Sequence, residues 1–246
     1  MPRFYTPHAL ATGSELALDG AAARHVQVLR MQPGDALTLF NGQGGEYAAQ
    51  VSHMGRSEVR VQVGEHAALE REACRAVHIA MGMPANERME WLVEKATELG
   101  VASIQPLMTE RTVLRVSGER ADKKVAHWQA IAVAACEQSG RNRVPLVHPV
   151  LTWAAWLALA GKRPTQPALR CVLSVHSASV LASAWAATNA LDATSAIECI
   201  GGPEGGLSPS EEAAAIASGY QPVGLGPRVL RSETAPLAAL CIWTLV

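Results

Sequence analysis

One junction constrains this chain more than any other: SAIECI runs directly into GGPEGG and then LSPSEE, residues 195 to 212. An apolar β-rich run is followed by a glycine loop. Ser208 and Glu211 then stand at capping-box spacing, with Pro209 at the first helical position. Strand, tight loop and helix in succession form the building unit of a mostly parallel α/β sheet, which binds ligands at its carboxyl strand ends. Glycines there let a ligand approach the main chain, and a side chain at Gly205 is expected to intrude on that space. The loop has neither GxGxxG nor GKS/T, so a triphosphate site is a poor match. A nucleoside-like ligand without phosphates and a plain turn both remain open.

The same grammar extends over most of the chain. From Ala76 onward the apolar runs AVHIAMG, ASIQPL and ALRCVLSV alternate with helical segments. Met89, Leu92, Val93, Ala96 and Leu99 predict a helix over 87 to 99, capped by Asn86 and closed by Gly100. A second helix is expected from about Asp122 to Gln138. Earlier, ALTLF, EYAAQVS and EVRVQV alternate with period two around an NGQGG turn. Residues 1–72 therefore read as a small all-β domain and residues 73–246 as a second, α/β domain.

Composition narrows the class. With 246 residues, 49% hydrophobic and 17% charged, the chain is globular rather than disordered. Its five cysteines are scattered without metal-ligand spacing and read as reduced thiols. No signal peptide or membrane-spanning run is seen, so a cytoplasmic protein without membrane attachment is expected. His25 and His53 read as ordinary surface or packing residues, and no metal site is expected. The net charge of −1 gives no global attraction to nucleic acid. Between Arg111 and Arg143, however, seven basic residues face three acidic ones. That stretch is either a phosphate-binding stripe or a solvated helix face.

A second glycine-bearing loop, LGPRVLRSETAPLAAL (225 to 240), follows the short strand YQPVGL and leads into an apolar terminal helix. Arg228, Arg231 and Glu233 lie between two buried elements and need partners, in a ligand or in surface salt bridges.

The segments RHVQVLRMQPGD (24 to 35), MEWLVEKATELGVASIQPL (89 to 107), ERTVLR (110 to 115), CEQSGRNRVP (136 to 145), GGPEGGLSPSE (201 to 211) and LGPRVLRSETAPLAAL, in this order, resemble the ribosomal RNA small subunit methyltransferase E family, the 16S ribosomal RNA uracil-N3 methyltransferases. The resemblance implies a small PUA-like β-barrel RNA-binding domain. It also implies a methyltransferase domain of the SPOUT class, a parallel α/β sheet with a C-terminal trefoil knot, acting as a homodimer. S-adenosyl-L-methionine is the implied cofactor and 16S ribosomal RNA in the small ribosomal subunit the implied partner. A knotted methyltransferase acting on transfer RNA or 23S ribosomal RNA is an alternative, as is a non-catalytic ribosome-assembly factor.

Carried over position by position, the resemblance assigns the donor to Val175, His176, Gly201, Gly202, Pro203, Glu204, Gly205, Gly206, Leu225, Gly226, Val229, Leu230, Arg231, Thr234 and Ala235. RNA contact falls to Arg24, Arg30, Arg111, Arg115, Arg141, Arg143 and Arg228. Methylating N3 of uracil requires loss of its proton, so a nearby base should help. Glu204 and Glu233 are the carboxylates within these loops, and Arg231 could stabilise charge developing on the uracil oxygens. Glu233 could equally be a helix-start carboxylate paired with Arg231. The family's lysine and glycine before the first catalytic-domain helix are replaced here by PANER (84 to 88), with Arg88 one turn on.

Overall fold

The computed structural model describes residues 1–56, 58–160, 169–175, 180–188 and 195–245. The chain divides into two compact units, Met1–Glu72 with Val133–Val144, and Ala73–Ala132 with Pro145–Val246.

The first unit holds β1 (Arg3–Tyr5), β2 (Glu15–Ala17), α1 (Gly20–Val28), β3 (Ala36–Phe40), β4 (Glu46–Met54) and β5 (Val59–Ala67). Its five strands pair in the order β1-β3-β4-β5-β2, antiparallel except for β1 with β3. The alternation of β5 is literal: Val59, Val61 and Val63 are buried and the residues between them exposed. An all-β reading of this region misses α1. Asp19 caps that helix through the Ala21 and Ala22 amides, and Ala22, Ala23 and Val26 bury one face in the core with Phe4, Leu37 and Leu39. The helix ends in a Schellman arrangement, Met31 N–H to Val26 C=O and Arg30 N–H to Gln27 C=O. Glycine usually occupies the left-handed position of that motif. Here Arg30 does, at φ 55°.

The second unit begins with β6 (Val77–Gly82), α2 (Asn86–Glu98), β7 (Ser103–Met108), α3 (Gly118–Ser139), β8 (Leu146–Val147), β9 (Leu151–Thr152) and α4 (Trp153–Ala160). It continues with β10 (Leu169–Leu173), β11 (Val180–Leu181), α5 (Ala182–Thr188), β12 (Ile197–Gly201), α6 (Pro209–Ala217), β13 (Gln221–Gly224) and α7 (Thr234–Thr244). Strands run in the order β11-β13-β10-β12-β6-β7-β8, with β9 also on β7, and pair in parallel. Helix α3 crosses the unit boundary, its last turns counting with the first unit.

Ala80, Leu107, Val172 and Ile200 from four adjacent strands share a core cluster with Trp156 of α4, Ala215 of α6 and Tyr220. A second helical group comprises α2, α5 and α7, with α7 against β6 and β12 and the Trp185 and Trp243 rings 5.7 Å apart. Among the described residues no helix is long and apolar enough to cross a membrane. All five cysteines are free. Cys136 is buried, and burial pushes its thiol up to about 12, which makes it unreactive.

Candidate functional site

The glycine loop sits where its local chemistry directs it. Ser208 accepts the Glu211 amide while the Glu211 carboxylate returns to the Ser208 amide at 2.9 Å, so α6 starts one residue after the cap. Glu211 also accepts the Glu110 N–H at 2.8 Å, tying the loop after β7 to this helix. A Cβ on Gly202 would lie 2.6 Å from the Leu207 nitrogen and 2.8 Å from the Gly206 carbonyl carbon, so the loop can fold back on itself only with glycine there. Gly82, at the end of β6, has the same duty toward the loop, because a Cβ there would meet Pro203 Cδ at 2.6 Å. At Gly205, expected to leave room for a ligand, an added carbon would face the Arg111 side chain at 3.3 Å, and both residues line the neighbouring cavity.

Beside this loop lies a cavity of about 630 Å³, within the range of small-molecule sites. Three chain segments wall it at the carboxyl ends of β10, β12 and β13: Leu173–Val175, Gly201–Leu207 and Val223–Leu230. Of the residues assigned to the donor, Val175, the loop from Gly201 to Gly206, Leu225, Gly226, Val229, Leu230 and Ala235 line it. Arg231 and Thr234 do not, and His176 lies outside the described residues. Apolar contact comes from Leu173, Leu181, Val223 and Leu230; of these, Leu181 and Val223 sit at strand ends and carry no motif.

Two arginines assigned to RNA also line the cavity. Arg111 donates to the carbonyls of Gly205, at 2.8 Å, and Leu207, at 3.3 Å, and so braces the glycine loop. Arg228 is exposed, and among the described residues its side chain has no hydrogen bond or ion pair; the same is true of Arg231. The expected pairing of Arg231 with Glu233 is not formed.

Both candidate carboxylates are engaged elsewhere. Glu204 Oε1 accepts the Ala85 N–H at 2.9 Å and an Arg88 Nη1–H at 3.2 Å. It thereby caps the start of α2, a task that Asn86 does not perform: Asn86 is already helical, donates to Glu90 and accepts from Lys124. Glu233 is buried, accepts the Ser232 hydroxyl at 2.9 Å and lies 4.0 Å from Arg88 Nε.

Of the basic stretch from 111 to 143, Arg111 and Arg115 belong to the second unit and Arg141 and Arg143 to the first. Arg141 is 4% exposed and bonds Glu72 through Nε at 3.1 Å and Nη2 at 2.5 Å, so it is a buried brace and is not free to meet phosphate. Arg143 is half exposed and 3.7 Å from Glu70. Arg115 is exposed and donates to the Glu110 carbonyl. Arg24 and Arg30 are exposed, with no side-chain partner among the described residues. His25 packs edge-on against Phe4 and faces Glu137 at 3.5 Å, an ordinary packing role.

Comparison with known proteins gives this geometry a family. A profile described as an RNA methyltransferase domain matches residues 70–244, and one described as an RNA methyltransferase PUA domain matches residues 18–64. The ribosomal RNA small subunit methyltransferase E of Bacillus subtilis is 32% identical over 247 residues, covering 98% of this chain and 94% of that relative. The crystal structure of a ribosomal RNA small subunit methyltransferase E from Neisseria gonorrhoeae bound to S-adenosyl methionine superposes with a TM-score of 0.87 at 35% identity, over 98% of this chain and 95% of that one. A chain from Legionella pneumophila in complex with SAM gives 0.88 at 34% identity, over 98% and 96%. By sequence over its whole length and by fold, this chain belongs to the ribosomal RNA small subunit methyltransferase E family.

Proposed function

We propose that the chain transfers a methyl group from S-adenosylmethionine to N3 of a uridine in 16S ribosomal RNA. The observation that carries this reading is the cavity at three adjacent strand ends, with a loop that only glycine at 202 can close. Its residues suit such a donor. Main-chain groups of Gly201–Leu207 and Val223–Leu230 can meet the polar edges of a nucleoside, and Leu173, Val223 and Leu230 its apolar faces. When bound, S-adenosylmethionine supplies a methyl group activated on a sulfonium.

The protein's own work is then positional and electrostatic. The apolar side chains that line the cavity limit water around the methyl group, and its loops hold the acceptor in line. Arg228 and Arg231, without partners among the described residues, stabilise negative charge on the uracil oxygens as N3 loses its proton. Glu204 and Glu233, already bonded to the protein, serve as anchors in this reading. The five-stranded unit closes as a PUA-like barrel and holds RNA through Arg24 and Arg30. The C-terminal segment forms a trefoil knot, and a second copy of the chain covers the exposed Val175, Leu181 and Val229 in a cytoplasmic homodimer.

Calorimetry with S-adenosylhomocysteine should give micromolar affinity, about 8 kcal/mol. Nucleosides from the 16S RNA of a deletion strain should lack 3-methyluridine, and purified protein should restore it. An unchanged 3-methyluridine level in 16S RNA, with loss from transfer RNA or 23S RNA, would move the substrate. Absence of donor binding at millimolar ligand would remove the reading altogether.

A further inference from the structure

Two of the three cavity walls converge on one side chain that this chemistry does not use. Arg88, in the first turn of α2, sends Nη1 to Glu204 in the loop after β12 and Nε toward Glu233, which ends the loop before α7. The two carboxylates are secured from their own sides as well, Glu204 by the Ala85 N–H and Glu233 by the Ser232 hydroxyl. Helix α2 itself packs on α7, so the arginine is held from a fixed platform.

Resting on the donor-site reading, we propose that Arg88 is a positioning residue: by holding Glu204 and Glu233 on separate nitrogens of one guanidinium, it sets the spacing between the glycine loop and the 225–233 loop, and so keeps the cavity at donor-binding width before the ligand arrives.

The physical case turns on geometry more than on charge. Arg88 is 40% exposed, and exposed ion pairs add little to global stability. Its planar fork, by contrast, addresses two acceptors in fixed directions, whereas a lysine ammonium is a single point on a flexible stem. A cavity whose walls are already spaced avoids the entropic cost of ordering them on binding. Loss of Arg88 should therefore leave the fold intact and weaken the donor.

The test compares wild type, Arg88→Met, Arg88→Lys, Glu204→Gln and the double variant Arg88→Met/Glu204→Gln. S-adenosylhomocysteine affinity is measured by calorimetry and amide exchange on unliganded protein. Arg88→Met should weaken binding about tenfold or more with Tm within about 2 °C of wild type. Lysine should restore only part of it, and the double variant should be little worse than Arg88→Met alone, because Glu204→Gln weakens a contact that Arg88→Met already removes. Exchange should quicken at 202–207 and 226–233 and not in the central strands. Binding within twofold of wild type, additive losses, or unchanged exchange in the two loops would each overturn the proposal. If wild type binds no donor, the methyltransferase reading fails, and loop exchange alone decides whether Arg88 spaces these loops.

Discussion

Two regions, the carboxylate-rich face around Glu46 and Glu72 in the first unit and the loop after β13 in the second, use arginine in opposite ways. In the first unit, Arg3 and Arg71 both bond Glu46, Arg141 bonds Glu72, Arg143 faces Glu70, and Arg60 bridges Glu15 and Glu58. In the second, the loop after β13 carries Arg228 and Arg231 with no partner among the described residues. A guanidinium already held by carboxylates is part of the scaffold and unavailable to a ligand. One held in water by a glycine-bearing loop loses little when it meets phosphate or a developing anion. Counting basic residues along the sequence misleads for that reason: the +4 balance between 111 and 143 includes Arg141, one of the most deeply paired side chains of the first unit.

Breaking the pair in the first unit should give the largest effect on stability. Arg141→Ala leaves Glu72, 20% exposed, without its partner and should cost about 3 kcal/mol in chemical denaturation. Donor affinity of the folded fraction should stay within twofold. An unchanged midpoint with a loss confined to RNA binding would make Arg141 a ligand residue after all and dissolve the contrast.

In the second unit the corresponding weak point is backbone. Gly202→Ala places a carbon against main-chain atoms at 2.6 and 2.8 Å, contacts that no rotamer relieves. The loop must open, and donor affinity should fall roughly a hundredfold, about 2.7 kcal/mol. Gly205→Ala, which meets only the flexible Arg111 side chain, should lose far less. Equal losses at the two positions would mean that the loop is not shaped as described.

The glycine loop, its cap at Ser208 and the alternation of strands and helices were legible because each rests on neighbours in sequence. Helix α1 carried a local signal too, an aspartate followed by alanines and a valine at helical spacing, but the surrounding period-two pattern obscured it. The rest was long-range. Arg141 meets Glu72 across 69 positions, and Arg88 meets Glu204 across 116. No spacing rule encodes such contacts, so the sequence shows neither the brace at Arg141 nor the bonds that Glu204 and Glu233, its candidate bases, already make. Asn86 lies inside the helix instead of capping it, with its side chain bonded to Glu90 and Lys124.

A smaller effect should appear with pH. Burial raises the Glu46 carboxyl, but bonds from Arg71, Arg3 and Asn142 outweigh it and hold the group at about 2. A depressed carboxylate contributes stability that is full above its unfolded value near 4.3 and is lost as pH falls toward 2. The advantage of wild type over Glu46→Gln in chemical denaturation should be on the order of 2 kcal/mol at pH 6 and should shrink steadily below pH 4. A difference independent of pH would mean that packing, not the charged network, holds this corner of the first unit.

At Arg30 scaffold and ligand contact can be separated within one residue. Arg30 occupies the left-handed position closing α1, at φ 55°, where a side chain costs about 1 kcal/mol relative to glycine. Its exposed guanidinium has no partner among the described residues to offset that cost. Strain kept at a solvent-facing position fits a ligand that the folded protein alone does not contain. Arg30→Gly should therefore raise stability by about 1 kcal/mol. The same change should weaken RNA binding a fewfold and reduce its salt slope by about 0.9 for the lost phosphate contact, with donor affinity untouched. A variant that gains stability and binds RNA as tightly as wild type would reduce Arg30 to an unhelpful residue at a helix end, and the RNA contact of the first unit would have to be sought at Arg24 instead.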